Sequence, residues 1–303
     1  MTRISKIDRT VLGPLYPFQP HYLPIGPWRM HYLDEGRGEP LLMVHGNPTW
    51  SFYFRRLVTA FRDAYRTIVP DHLGCGLSDV PTEDHYGYRL QDRIHDLGAL
   101  VDHLQLSQPI TLVLHDWGGM IGLAWALRHV ERIGRVIVLN TAAFFPPAQK
   151  RLPIRLRLIR DLGLPSRLAV LGGNLFALGA VWMAPQRRLS AAVRRGLLAP
   201  YNRPRNRLAT LKFVQDIPLK HGDPSTAEVL WVERHLGRLA HVPILILWGA
   251  HDFVFDDDYL KEWLRRFPQA ENHRFADAGH YLLEDVPEKI IALMADFLRR
   301  HPL

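Results

Sequence analysis

The sequence predicts an α/β fold, a mostly parallel sheet flanked by helices, with a helical cap inserted into it. Three observations carry this. Short runs of β-formers alternate with helix-length amphipathic segments, the pattern of a parallel sheet covered by helices. Most of the runs are continuously apolar, as strands buried on both faces must be. From about residue 144 to 221 the alternation stops, and eight prolines divide the segment into short helical pieces. A length of 303 residues suits one large core with such an insertion, since single cores stop growing near roughly 250–300 residues.

In chain order, the strand candidates are LLMVH (41–45), YRTIVP (65–70), ITLVLH (110–115), RVIVLN (135–140), ILILW (244–248) and NHRFA (272–276). Between the second and third, Leu90, Ile94, Leu97, Val101 and Leu104 recur at steps of four and three and give one helix face. Ile290, Met294 and Phe297 do the same near the end. The predicted division is a core of residues 1–143, a cap of 144–221 and a second core part of 222–303. The run Leu168 to Ala184 is apolar and uncharged, but Gly172, Gly173, Asn174 and Gly179 interrupt it. It reads as cap helices over an apolar pocket, not a bilayer span.

Hydrophobic residues make up 47% and charged residues 22%, too apolar for a disordered chain. The single Cys75 excludes an internal disulfide framework and a Cys-based zinc site, which makes the cytoplasm the expected compartment. The opening MTRISKIDRT lacks the apolar stretch of an export signal, and no segment reaches about 18 consecutive apolar residues. The net charge of +8 is concentrated, with 15 Lys and Arg between Pro146 and Lys220 against Asp161 and Asp216. That stretch carries +13 and the remainder −5, which argues against a nucleic-acid-binding module. Arg151, Arg155, Arg157, Arg160 and Arg167 alternate with Leu152, Ile154, Leu156, Leu158 and Ile159. A solvated basic face is the plain reading; an anionic membrane surface or an acidic partner suits the mixture as well.

The chemistry centres on ITLVLHDWGGMIG, which places Asp116 on a turn between a strand and a helix. This is the context of the nucleophile elbow in the α/β-hydrolase fold, with Asp at the nucleophile position and Leu114 where the first small residue would stand. Alone, such an Asp reads as an N-cap. The order nucleophile, acid, His then follows: WGAHD puts Asp252 just beyond one strand and ADAGHYLLED puts His280 beyond the next. Loops at the carboxyl ends of parallel strands are where open α/β sheets build their sites. In HGNPTW, the His45-Gly46 turn aims the Asn47 N–H, with that of Trp117, at a developing oxyanion or leaving group, and both side chains add donors. Neither metal-ligand spacing nor a phosphate or dinucleotide fingerprint occurs, so no metal and no cofactor is expected.

HGNPTW, PDHLGCGLSD, HDWGG, WGAHD and AGHYLLED together resemble the haloalkane dehalogenase superfamily of α/β-hydrolases over nearly the whole chain. The resemblance implies that Asp116 is the nucleophile, that Trp117 and Asn47 hold the leaving group, and that His280 activates water. The family places its acid after either of two strands; here the earlier place reads VLNTAAF with Asn140, which leaves Asp252. HDWGGMIGLAWAL, NTAAFFPPAQK and RRGLLAPYNRPRNRLATLKFVQDIPL further resemble the β-lactone decarboxylases of olefin biosynthesis. These convert a cis-3-alkyl-4-alkyloxetan-2-one to a cis-alkene and carbon dioxide. That resemblance implies a hydrophobic small-molecule substrate, and as partners the synthetase that makes the β-lactone and the reductase before it.

A carboxylate nucleophile needs no base at neutral pH, so Asp116 can attack an electrophilic carbon directly. In a dehalogenase His280, oriented by Asp252, then removes a proton from water. The decarboxylation consumes no water, which leaves His280 to manage protons or hold an intermediate. An epoxide hydrolase ranks third, because its cap supplies two Tyr donors and this one has only Tyr201. A Ser esterase ranks lower still for want of a Ser at the elbow. A binding protein on a hydrolase scaffold would be expected to have a broken triad.

Overall fold

The computed structural model describes residue 7, residues 9–147 and residues 150–303. Most of the opening MTRISKIDRT and two residues of NTAAFFPPAQK lie outside the described residues. Eight strands form one sheet: β1 (His21–Ile25), β2 (Trp28–Glu35), β3 (Pro40–Val44), β4 (Arg66–Pro70), β5 (Ile110–His115), β6 (Ile133–Leu139), β7 (Ile244–Gly249) and β8 (Glu271–Phe275). Their spatial order is β1-β2-β4-β3-β5-β6-β7-β8. Strands β3 to β8 pair in parallel, and β2 joins β4 antiparallel.

All six predicted strands are present within a residue or two of their expected ends. The reason lies in the pleat. Leu42, Val44, Leu112, Leu114, Val136 and Val138 pack on one face, while Leu41, Met43, Val113, Ile137 and Leu139 pack on the other, and all are buried. With both faces covered, neither parity is free to be polar. The hairpin β1–β2 escaped sequence reading. It sits at an edge, where Pro24 costs no central ladder bond and where four of the five β1 residues are exposed or half-exposed.

The chain runs from β3 outward to β4 and then returns across β3 to β5, so connections leave β3 and β5 in opposite directions. This switch point opens a crevice at the carboxyl ends of β3 and β5, the place where such sheets bind ligands. The helix after β5 (Trp117–Ala126) is buried from Gly118 to Ala126. It is apolar all round because sheet and helices enclose it.

Between β6 and β7 the described residues form no strand. Helices run over Ile154–Asp161, Leu164–Arg167, Leu175–Met183, Ala191–Leu198, Leu208–Gln215 and Thr226–His235. The last already belongs to the main core, with Val229 and Val232 buried against the sheet's helices. The apolar run Leu168–Ala184 divides its faces: Val170, Ala177 and Val181 are buried, whereas Leu168, Leu175, Leu178 and Trp182 are exposed. Among the described residues no single helix is long and apolar enough to cross a membrane. The pair Leu164–Gly172 and Leu175–Met183 reaches the length and composition only together, across a 67° bend.

Candidate active site

Asp116 sits between β5 and the buried helix with φ 51° and ψ −128°. A non-glycine residue in that region costs roughly 1–3 kcal/mol and persists only where its surroundings hold it. Here its N–H donates to Asn140 O at 3.2 Å, its carbonyl accepts the Gly119 N–H at 3.0 Å, and the Thr141 hydroxyl donates to that same carbonyl. The unusual Leu114 is accommodated by Gly122, whose Cβ would stand 2.5 Å from Leu114 Cδ2. The helix therefore lies close on the strand despite the large side chain.

The loop after β3 supplies the second wall. Asn47 N–H donates to Asp116 Oδ1 at 2.7 Å, and Trp117 N–H also reaches that carboxylate. Any Cβ on Gly46 would stand 1.9 Å from Asp116 Oδ1, so glycine is required there. His45 braces this turn through Nδ1 to Gly46 O at 2.7 Å, and its Nε2 accepts the His72 N–H at 3.1 Å. Burial pulls the His45 pKa down to about 4, which keeps it neutral and able to accept.

The loops after β7 and β8 bring the other two predicted residues to the first. His280 Nδ1 lies 2.6 Å from Asp252 Oδ2, and His280 Nε2 lies 3.5 Å from Asp116 Oδ2. All three side chains are buried. Asp252 Oδ1 accepts the N–H groups of Val254 and Phe255 at 2.7 and 3.0 Å. Burial depresses the His280 pKa, but Asp252, through its charge and hydrogen bond, and Asp116 outweigh it, leaving the group above its ordinary value. Burial lifts the Asp116 carboxyl above the usual range, against the opposing pull of His280 and of the Trp117 and Asn47 N–H groups.

Asn47 and Trp117 reach the same place on different terms. One amide proton of Asn47 is committed, since Nδ2 donates to Thr210 O on the helix Leu208–Gln215 at 2.9 Å, and the other remains for a ligand. Trp117 borders the cavity and packs on Phe213 with ring centres 5.5 Å apart. Its indole N–H has no acceptor among the described residues. Asn47, Asp116, Trp117 and His280 all open onto one cavity of about 500 Å³. Its remaining wall is predominantly apolar, with Phe144, Leu156, Ile159, Phe176, Val214 and Val229 among the lining. Tyr201 is absent from that lining; it is fully buried, and its hydroxyl faces Thr49 O at 3.5 Å. No group of three metal-ligating side chains occurs among the described residues.

Two supporting residues had no recognised role in the sequence. Asn140, noted there only for lacking a carboxylate, donates through Nδ2 to Asp252 Oδ2 at 3.0 Å, while its Oδ1 accepts Gly249 N–H at 2.6 Å. It thus fixes the Asp252 carboxylate on the side facing His280. Asp285, inside the quoted AGHYLLED motif, accepts the N–H groups of Gln186, Arg187 and Gly279 at 2.8–3.0 Å. Tyr281 N–H adds a bond to Ala184 O at 3.1 Å. Asp285 therefore ties the segment at 184–187 to the loop that carries His280.

Comparison with known proteins agrees with this geometry. The α/β-hydrolase-fold family profile matches residues 39–287. A cis-3-alkyl-4-alkyloxetan-2-one decarboxylase of Shewanella oneidensis is 47% identical, over 95% of this chain and 91% of its own. The protein of the same name from Xanthomonas campestris is 43% identical, over 96% and 99%. The crystal structure of a haloalkane dehalogenase from Agrobacterium tumefaciens C58 superposes with a TM-score of 0.84 at 25% identity, covering 97% of this chain and 99% of the other.

Two outcomes follow from the geometry. Asp252→Asn removes the charge that raises the His280 pKa, so an NMR titration of the His280 ring should show its midpoint moving to lower pH; an unmoved midpoint would remove Asp252 as its partner. Asp285→Asn turns an amide N–H toward backbone donors in a buried site, which should cost about 1–3 kcal/mol in denaturant unfolding. With the His280 loop loosened, kcat should fall roughly tenfold. Unchanged kcat in the folded variant would reduce Asp285 to a purely structural tie.

Proposed function

The chain belongs to the α/β-hydrolase family, and on that premise we propose that it is a cis-3-alkyl-4-alkyloxetan-2-one decarboxylase using Asp116 as nucleophile. The division into core (1–143 and 222–303) and cap (144–221) is part of the same reading. The observation that carries the choice of substrate is the near full-length similarity to decarboxylases, well above that to the dehalogenase structure. The site fits the chemistry. An apolar cavity accepts two alkyl substituents, and its polar end offers one carboxylate aimed at the ring.

Asp116 Oδ2 faces His280, while Oδ1 accepts the Asn47 N–H. Attack at the ring carbon that carries the ring oxygen forms an ester with Asp116 as that C–O bond breaks and frees the substrate carboxylate. The bond between the carboxylate carbon and its neighbour then breaks, carbon dioxide leaves, the electron pair forms the C=C bond, and the ester C–O bond breaks to return Asp116 as a carboxylate. No water enters the balance. His280, made more basic by Asp252, stands beside the oxygens that gain negative charge, and Trp117 and Asn47 direct N–H groups at them.

The second reading, a haloalkane dehalogenase, uses the same residues differently. Asp116 displaces halide to form an alkyl ester, and His280 takes a proton from water that attacks the ester carbonyl. The epoxide hydrolase reading loses support, because Tyr201 is buried away from the cavity.

The two main readings separate cleanly in H2 18O. Repeated turnover of a disubstituted β-lactone should give cis-alkene and carbon dioxide by gas chromatography, with no 18O in the peptide carrying Asp116. Hydrolysis of a haloalkane ester would place 18O in that carboxylate. Efficient halide release with 18O-labelled Asp116, and no alkene from any β-lactone, would reverse the ranking.

A further inference from the structure

Among the described residues, nine of the thirteen large apolar side chains left exposed fall between residues 154 and 183. Ile154, Leu164 and Leu168 are 66%, 68% and 65% exposed; single exposed apolar residues are ordinary, but a group of them marks an interaction surface. The spacing is helical. Ile154, Leu158 and Leu162 follow at four-residue steps, and Leu175, Leu178 and Trp182 at three and four, so each set forms one outward stripe. Three exposed members, Leu158, Leu175 and Met183, also line the cavity. The mouth of the active-site cavity therefore opens through this apolar face.

The segment's own charge is strongly positive, although Lys150, Arg160, Arg167 and Arg187 pair with Asp256, Asp223, Glu83 and Asp277 from elsewhere in the chain. Residues 150–195 contain ten Lys and Arg and a single acid, Asp161. Arg157 and Arg188 are exposed. Arg194 and Arg188 stand over the Trp182 ring, at 4.7 and 6.0 Å from its centre. An aromatic ring flanked by guanidinium groups and set among leucines suits a boundary that is apolar inward and anionic at its rim. A second copy of this chain would face the same positive charge and repel it.

We propose that this face seats the protein on an anionic lipid surface, with the cavity mouth turned toward the acyl chains. The apolar stripes enter the boundary between headgroups and chains, and the arginines meet the lipid phosphates. Such seating lets a long-chain substrate pass from bilayer to cavity without crossing water. The hand-over rests on the long-chain reading of the site, whereas lipid binding itself does not.

The test is flotation of the full chain with vesicles of phosphatidylcholine, alone or with about a third phosphatidylglycerol. Binding should be strong to the anionic vesicles and at least tenfold weaker to neutral ones or at high salt. The pairs Arg157→Glu with Arg188→Glu, and Leu164→Ser with Leu168→Ser, lie outside the cavity lining. Each should weaken binding about tenfold or more, with circular dichroism and turnover of a short soluble lactone unchanged. Failure to float, or flotation indifferent to both pairs, would overturn the proposal. So would a solution dimer that these substitutions split, or an acidic protein that binds only the parent chain while vesicles bind neither. Flotation is read without substrate, so its failure is distinct from failure of the lactone reading, which alkene formation alone decides.

Discussion

The Asp116 backbone at φ 51° is the constraint on which the site depends. It turns the chain sharply enough to lift the carboxylate off the end of β5 and into the cavity, and its cost is met by bonds donated by Gly119 and Thr141 and one accepted by the Asn140 carbonyl. The loop after β3 is then shaped to the carboxylate: Gly46 has no side chain because Asp116 Oδ1 occupies that space, and the next N–H donates to it. Strand order makes this meeting unavoidable, since β3 and β5 are neighbours at the switch point.

Electrostatics follow from burial. Two carboxylates share one imidazole in a largely apolar surrounding, an arrangement that would neutralise itself by taking up protons if the charges were not individually held. Asp252 receives donors on both oxygens, from Val254, Phe255, Asn140 and His280. Asp116 accepts the Asn47 N–H on Oδ1 and faces His280 with Oδ2. This asymmetry leaves one carboxylate fixed as a support and the other accessible for attack.

The central strands and the three triad positions were legible in the sequence because each is a local signal, an apolar run ended by a turn bearing a chemical residue. The β1–β2 hairpin was not, since an edge strand with Pro24 and a mostly exposed face has no apolar run. Nor were the tasks of Asn140, whose partners Gly249 and Asp252 lie 109 and 112 residues away, and of Asp285, whose partners Gln186 and Arg187 lie 99 and 98 residues away across the fold. The commitment of one Asn47 proton to Thr210 was hidden for the same reason, at a separation of 163 residues. Around the cavity mouth, the arginines and leucines of 151–167 were visible as a mixture, but periodicity alone could not say which leucines of 168–184 face outward.

The account stands on Asp116 acting as a carboxylate nucleophile, and Asp116→Asn tests that most directly. Asn tolerates positive φ and still offers an acceptor to the Asn47 N–H, so the elbow should fold as before. Its amide is a poor nucleophile of nearly the same shape. Single-turnover assay of the folded variant on a cis-disubstituted β-lactone is predicted to give no alkene above the uncatalysed rate. Alkene formation at the parent rate would contradict the account.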